Sequence, residues 1–273
     1  MPEGPSIVIL KEQAQSFAGK KIVSVSGNTR LDKERLVDQK VIALRSWGKH
    51  FLIELRDFSV RIHFMLFGTY QINPHINERK NAAPRLGLAF KEGELNFYAC
   101  SVQFVEGKLD DTYDWSGDVM SDEWDADAAL KKLRAMPDAL VCDALLDQNV
   151  FAGVGNIIKN EVLFRIRVHP LSTIGGLPAT KLRELVEQAR QYSFEFLEWK
   201  KAFVLKQHWL AHTKSTCPRC HIPFSKGQLG KTKRRSFYCE RCQKQYAADH
   251  SLQGSLFEKP PARRSRKSAA QAA

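Results

Sequence analysis

Residues 145–164 read LLDQNVFAGVGNIIKNEVLF. The glycines of Gly153-Val154-Gly155 interrupt a helical pattern. The stretch therefore predicts a tight turn between a helix over Asp138–Asp147 and a second over Asn156–Ile166. Such a turn exposes backbone N–H groups at the start of the second helix. That end attracts a phosphate, and Asn156 can cap it or add a donor. A plain interhelical turn satisfies the same letters. Around it, Asp127–Ala135 reads as a further helix, set off by Pro137. Pro178–Trp199 reads as a long one, with Leu182, Leu185, Ala189, Tyr192 and Phe196 on its apolar stripe.

Toward the C-terminus, Cys217-Pro218-Arg219-Cys220 and Cys239-Glu240-Arg241-Cys242 stand eighteen residues apart. Each pair places two thiolates on one knuckle, and two knuckles close a tetrahedron around Zn²⁺. A site filled by Cys217, Cys220, Cys239 and Cys242 leaves no open position, so one structural zinc is expected. Cys100 and Cys142 lie in apolar settings and read as small buried hydrophobes. The unit over 213–247 also carries Lys226, Lys231, Lys233, Arg234, Arg235, Arg241 and Lys244. Of 42 basic and 30 acidic residues in the chain, 17 basic and only 3 acidic lie from Lys200 onward, so the whole positive excess sits in the last quarter. A polyanion, most simply nucleic acid, is the implied partner. Residues 248–273 read as a basic disordered tail, for which a merely solubilising role is the plain alternative.

Toward the N-terminus, residues 109–127 are acidic and read as a linker, placed at 111–127. Before it, Val41–Leu44, His50–Leu55, Val60–Phe64, Leu86–Phe90 and Leu95–Ala99 read as short strands, with a hairpin turn at Lys91-Glu92-Gly93. Evenly spaced strands of this kind suggest a β-sandwich or barrel. Residues 2–17 read as a helix. Pro2 and Pro5 suit its first turn, and Glu3 suits its positive end. The composition, 43% hydrophobic and 26% charged, excludes a wholly disordered, collagen-like or disulfide-dense chain. No apolar run is long enough to cross a membrane, and MPEGPSIVIL lacks the basic start of a signal peptide. A monomer in the cytoplasm or bacterial nucleoid is expected, with no membrane partner.

MPEGP at the start, LLDQNVFAGVGNIIKNEVLF in the middle and CPRC…RRSFYCERCQ near the end occur in one order. Together they resemble the formamidopyrimidine-DNA glycosylase and endonuclease VIII family over roughly residues 2–246. The resemblance implies an α+β, two-domain fold. An N-terminal helix plus β-sandwich (1–110) would precede a helix–two-turns–helix domain (128–212) with a four-cysteine zinc-finger hairpin (213–247). It implies a bifunctional glycosylase and abasic-site lyase of base-excision repair, acting on damaged double-stranded DNA and cutting by β,δ-elimination.

On the same resemblance, Pro2 would be the nucleophile once Met1 is removed, and Glu3 the essential carboxylate. Glu161 would be a supporting acid. Lys49, Asn156 and Arg234 would hold phosphates at the lesion, with Arg235 one position away from the last. Met65, Leu66 and Phe67 would fill the gap left by a flipped-out base. PEGP and the compact MLFG loop resemble the endonuclease VIII branch. Asn149 stands where the 8-oxoguanine branch has a lysine, so oxidised pyrimidines are the expected substrates. An 8-oxoguanine or formamidopyrimidine-type activity is the alternative. Ser6 stands where the family usually has a second glutamate. This departure keeps open a catalytically weak damaged-DNA-binding protein on the same fold.

Overall fold

A computed structural model of the chain describes residues 2–74 and 82–247. Met1 and the expected tail at 248–273 lie outside the described residues. Helix α1 (Gly4–Gln13) is followed by a single 3₁₀ turn over Gln15–Phe17. The helix expected over 2–17 is thus shorter at both ends. Ile7, Leu10, Ala14 and Phe17 still point into the core as its spacing requires.

Six antiparallel strands follow: β1 (Ile22–Ser26), β2 (Ala43–Trp47), β3 (His50–Glu54), β4 (Phe58–Ile72), β5 (Leu86–Phe90) and β6 (Gly93–Glu106). Their order in the sheet is β1-β5-β6-β4-β3-β2. β4 and β6 are far longer than the segments read from the sequence, and one irregularity divides both. Phe64 pairs with Cys100 and Thr69 with Tyr98, so four residues of β4 oppose Ala99 alone. This bulge bends the pair. The two halves then share one core, where the Phe51 and Phe97 rings lie 5.8 Å apart. That is the expected sandwich, made from a bent sheet.

The segment expected as a linker is itself built into the structure. Leu109 and Tyr113 are buried against Leu52 and Val105, and Trp47 donates to the Asp114 carbonyl. Beyond it come α2 (Ala126–Arg134), α3 (Val141–Ala144), α4 (Asn156–Arg165) and α5 (Ala179–Lys201). Asp125 caps α2 through the N–H groups of Asp127 and Ala128. The helix expected over 138–147 is reduced to the single turn of α3. The apolar stripe of α5 is buried as expected and packs on α1, α2 and α4. Because α1 belongs to the sandwich side and α4 to the helical side, α5 joins the two cores. The ion pair of Lys201 with Glu12, at 2.9 Å, crosses the same seam. A two-stranded hairpin, β7 (Ser225–Leu229) and β8 (Arg234–Tyr238), completes the described residues.

Candidate active site

Glu3 is the residue around which the two halves meet. Its side chain does not cap α1, the helix it precedes. Its carboxylate instead accepts the N–H groups of Gly155, Ile157 and Ile158, at 3.1, 2.7 and 3.2 Å. The orphan donors at the start of α4 are therefore satisfied from a segment some 150 positions away in the chain. This corrects the expected capping: Gly155 occupies the cap position, and Glu3, not Asn156, supplies the acceptor. The approach is close enough that a Cβ on Gly155 would overlap the Glu3 carboxyl group. The Gly4 N–H donates to the Gly153 carbonyl at 2.9 Å, which ties the same two segments by their backbones. Gly153 has φ +100°, a conformation that glycine adopts without strain.

Burial pushes the Glu3 carboxyl above its ordinary range, against the opposing pull of Lys49 and of the three N–H groups. Lys49 is shifted down, again chiefly by burial, with Glu3 opposing and Arg234 assisting. Lys49 sits in the two-residue turn of the β2–β3 hairpin, where Trp47 pairs with His50. The Gly48 N–H of that turn donates to the buried Asp118 carboxylate at 2.9 Å. Asp118, pushed up to about 6 by its burial, thus anchors the turn that carries the lysine.

A pocket of about 310 Å³ opens between the domains. Lys49, Gly155, Asn156 and Arg234 line it, together with Trp47, His50 and His63. The Asn156 side chain donates to the Arg235 carbonyl at 3.0 Å, which joins the start of α4 to β8. His50 and His63 meet edge to face at 5.2 Å. Burial, then His63, Arg61 and Lys49, push His50 down to about 3; burial also lowers His63. Both rings are thus biased toward the neutral form. They present hydrogen-bonding surface beside Lys49 and Arg234 without adding full charges. Neither histidine was singled out from the sequence. Their signal was alternation: His63 pairs with His50, the residue after Lys49.

Met65, Leu66 and Phe67 occupy the β4 bulge, just past His63. They are 54%, 57% and 83% exposed, so an uninterrupted apolar triplet stands in solvent beside the pocket. Isolated exposed apolar residues are ordinary, but three in a row on a bulge form a contiguous apolar patch. The sulfur atoms of Cys217, Cys220, Cys239 and Cys242 lie within 4.8 Å of one another, and Cys217 and Cys242 are 3.8 Å apart. Tetrahedral zinc with bonds of about 2.3 Å spaces its sulfurs by about 3.8 Å, so the four thiols fit that ion. Among the described residues this is the cluster with a metal-ligand set. It rests on α4 through Phe164.

Residues 1–101 match the formamidopyrimidine-DNA glycosylase N-terminal domain, and residues 116–204 match the formamidopyrimidine-DNA glycosylase H2TH domain. The chain belongs to the formamidopyrimidine-DNA glycosylase and endonuclease VIII family. It is 31% identical over 203 residues to endonuclease 8-like 3 of Mus musculus, covering 72% of this chain and 34% of that protein. It is 32% identical over 206 residues to endonuclease 8-like 2 of Bos taurus, covering 71% and 61%. The chain thus spans about a third of the first relative's length and three fifths of the second's. A viral DNA glycosylase superposes with TM-score 0.78 at 19% identity, over 89% of this chain and all of the other. The Lactococcus lactis formamidopyrimidine-DNA glycosylase bound to abasic-site DNA gives 0.77 at 19% identity over the same shares. These two relatives are animal proteins and give no support to a bacterial nucleoid as the location. Among the described residues, no helix is long and apolar enough to cross a membrane.

Within this family framework, the expected residues divide into two groups. Lys49, Asn156 and Arg234 line one pocket, and Glu3 lies directly behind its Gly155 wall, with half-buried Pro2 the preceding residue. Arg235 does not join them. Side chains alternate along β8, and Arg234 lines the pocket while the exposed Arg235 offers its carbonyl to α4. Glu161 is also outside the pocket lining. It is fully buried, and its carboxylate accepts the N–H groups of Leu210, Ala211 and His212 at 2.9, 3.0 and 2.7 Å. Asn149 is exposed, whereas its neighbour Gln148 lines the pocket and bonds the Gly153 N–H.

Proposed function

We propose that this chain is a bifunctional DNA glycosylase and abasic-site lyase acting on oxidised bases, pyrimidines foremost, in damaged double-stranded DNA. The observation that carries this reading is the Glu3 carboxyl, buried on the start of α4 behind a pocket lined by Lys49, Asn156 and Arg234. The cations and the N-terminal end of α4 suit backbone phosphates. The wedge at Met65–Phe67 suits the gap left by an extruded nucleotide, whose unstacking costs a few kcal/mol.

The chemistry follows from Pro2 and Glu3. Removal of Met1 frees a secondary amine with a pKa of about 8, partly neutral near pH 7. The Pro2 nitrogen bonds C1′ as the bond from C1′ to the base breaks, and the base leaves with the electron pair. Glu3, whose burial favours the protonated form, supplies one proton to the leaving base or to the ring oxygen, and the proton that the Pro2 nitrogen sheds serves the other. Ring opening leaves an iminium between Pro2 and C1′. The iminium acidifies C2′, and Glu3, now a carboxylate, can take that proton. Expulsion of the 3′ phosphate and then of the 5′ phosphate completes β,δ-elimination. Lys49 and Arg234 would hold those phosphates. Zinc in the four-cysteine site would hold the hairpin that carries Arg234 and play no chemical part.

Borohydride tests the reading directly, since it reduces the iminium to a stable amine. Protein with a free Pro2 is expected to become covalently joined to abasic-site DNA. Protein retaining Met1 is expected to bind DNA without joining it. No adduct from folded, DNA-binding protein with a free Pro2 overturns the proposal. Turnover on thymine-glycol and 8-oxoguanine duplexes at one salt concentration tests the substrate preference, because affinity for DNA depends steeply on salt. Faster release of 8-oxoguanine would reverse that preference. Elemental analysis is expected to find one zinc per chain, and sedimentation a monomer.

A further inference from the structure

We infer that Lys159 is a positioning residue that sets the Arg234 guanidinium in the pocket, and through it the grip on the DNA backbone. The inference deepens the glycosylase reading and rests on it. Lys159 lies on α4, three residues after Asn156, and is 1% exposed. A buried ammonium is costly unless it is paired and fully hydrogen-bonded. Among the described residues no carboxylate lies within ion-pair distance of it. Its Nζ donates instead to two neutral acceptors, the Ser236 hydroxyl at 2.8 Å and the Arg235 carbonyl at 3.3 Å. Both belong to β8.

The consequence lies in the alternation of that strand. Ser236 and Arg234 are two residues apart and share a face. Fixing the Ser236 side chain and the Arg235 carbonyl sets both the rotation and the register of β8 where Arg234 leaves it. Asn160 reinforces the register, since its side-chain oxygen accepts the Phe237 N–H at 3.0 Å. The two cations repel across this short span, which favours the guanidinium outward in the pocket over folded back on α4. A methionine would fill the space of the lysine stem, so packing alone gives no reason for a charge here. Its role is to bind the strand that delivers Arg234. Burial pushes Lys159 down to about 8. The groups acting on it are Cys142 and Asp143 on α3, Arg234 on β8 and Glu3 before α1.

The test is a double-mutant cycle on full-length protein. It uses a duplex carrying a tetrahydrofuran abasic analogue at fixed salt, read by fluorescence anisotropy. Arg234→Ala is expected to weaken binding about tenfold, Lys159→Met to reproduce most of that loss, and the double variant to bind within about twofold of Arg234→Ala. Wild-type binding is also expected to fall toward that of Lys159→Met as pH rises from 7 to 9, since Cys142, Asp143, Arg234 and Glu3 are common to both proteins. Should Lys159→Met lose its zinc or its helical signal, Ser236→Ala reads the same link from the other end, and the same non-additivity is expected. Wild-type affinity in Lys159→Met, or losses that multiply in the double variant, would overturn the inference. Borohydride trapping of the wild type separates the two ideas. Trapping without coupling defeats the positioning role alone, whereas coupling without trapping defeats the enzymatic reading and leaves Lys159 as a determinant of DNA grip.

Discussion

Glu3 and Glu161 are built almost alike. Each is a buried carboxylate that accepts three backbone N–H groups from a distant segment, and burial is the leading cause that raises each. Glu3 closes the start of α4 from the N-terminal side. Glu161 projects from α4 itself and closes the 210–212 turn that leads to the four-cysteine unit. Their difference is one of surroundings. Glu3 is next to Pro2, in the field of Lys49, and touches Gly155 of the pocket wall. Glu161 has Arg165 as its charged neighbour of opposite sign and no open space before it. A raised carboxyl held by backbone N–H groups is therefore not sufficient to mark an acid catalyst. Under the proposed mechanism access to a reacting atom decides, and of the two Glu3 is the one set against the pocket wall, through Gly155.

Exchanging each for its amide separates the two most widely. Glu3→Gln is expected to slow base release by about 10²-fold or more, the usual scale for losing a general acid. Some trapping on preformed abasic sites is expected to survive, because Pro2 is untouched. Glu161→Gln is expected to leave the rate per folded molecule near wild type and to lower stability by about 1–3 kcal/mol, since an amide cannot accept all three N–H groups. Single-turnover rates and urea denaturation give both numbers. A large rate loss in Glu161→Gln with normal stability would restore it to the chemistry.

Gly155→Ala attacks the contact that makes Glu3 special. The added methyl group would overlap the Glu3 carboxyl, so the carboxyl or the start of α4 must shift. A rate loss of about tenfold or more is expected, since small misplacements of catalytic groups are costly. Wild-type rates in this variant would show that the carboxyl need not rest on α4. The corresponding change on the Glu161 side, Ala211→Gly, is expected to leave the rate unaltered.

What was legible in the sequence divides along the same line. The Gly153-Val154-Gly155-Asn156 turn and the paired cysteines announce themselves by short spacings, which local geometry imposes, whereas Pro2 and Glu3 stand out only through the family resemblance and otherwise read as the first turn of a helix. That Glu3 would serve α4 and not its own helix was not legible. The contact joins residues about 150 positions apart and leaves no periodic trace. The choice of Arg234 over Arg235 needed the strand alternation of β8, which was not visible before its hairpin partner was known. Lys159 reads as an ordinary helix residue and Glu161 as a supporting acid by resemblance alone, because the hairpin and the 210–212 turn that bury them arrive later in the chain. The bend in β4 and β6 was hidden for a related reason: Met65–Phe67 read as a loop beyond a short strand, and only the pairing with β6 shows one strand running through, with Ala99 alone opposite the bulge.

That bulge yields a smaller contrast. Phe67→Ala is expected to change stability by no more than about 0.5 kcal/mol, as for other exposed positions. It is expected to weaken binding to lesion-containing duplex by about fivefold and to leave undamaged duplex nearly unaffected, because only an emptied stack needs filling. Equal losses on both duplexes would make the wedge a general contact.

The subtlest difference between the two carboxyls is their response to pH. With folded pKa values above the ordinary 4.5, native Glu3 and Glu161 bind more protons than the unfolded chain does above that value. Stability from each therefore falls as pH rises through the window between the unfolded and folded values. Wild type pays this cost at Glu161 and the neutral Glu161→Gln does not, so the stability gap between them is expected to narrow between pH 4.5 and pH 7. For Glu3 the same ionisation would also remove the proton that the proposed base release uses. The wild-type base-release rate is thus expected to decline across its folded pKa, and Glu161→Gln to keep that decline unchanged. If Glu161→Gln flattened the rate profile, the two carboxyls would be coupled through α4, and the separation between clamp and catalyst would fail.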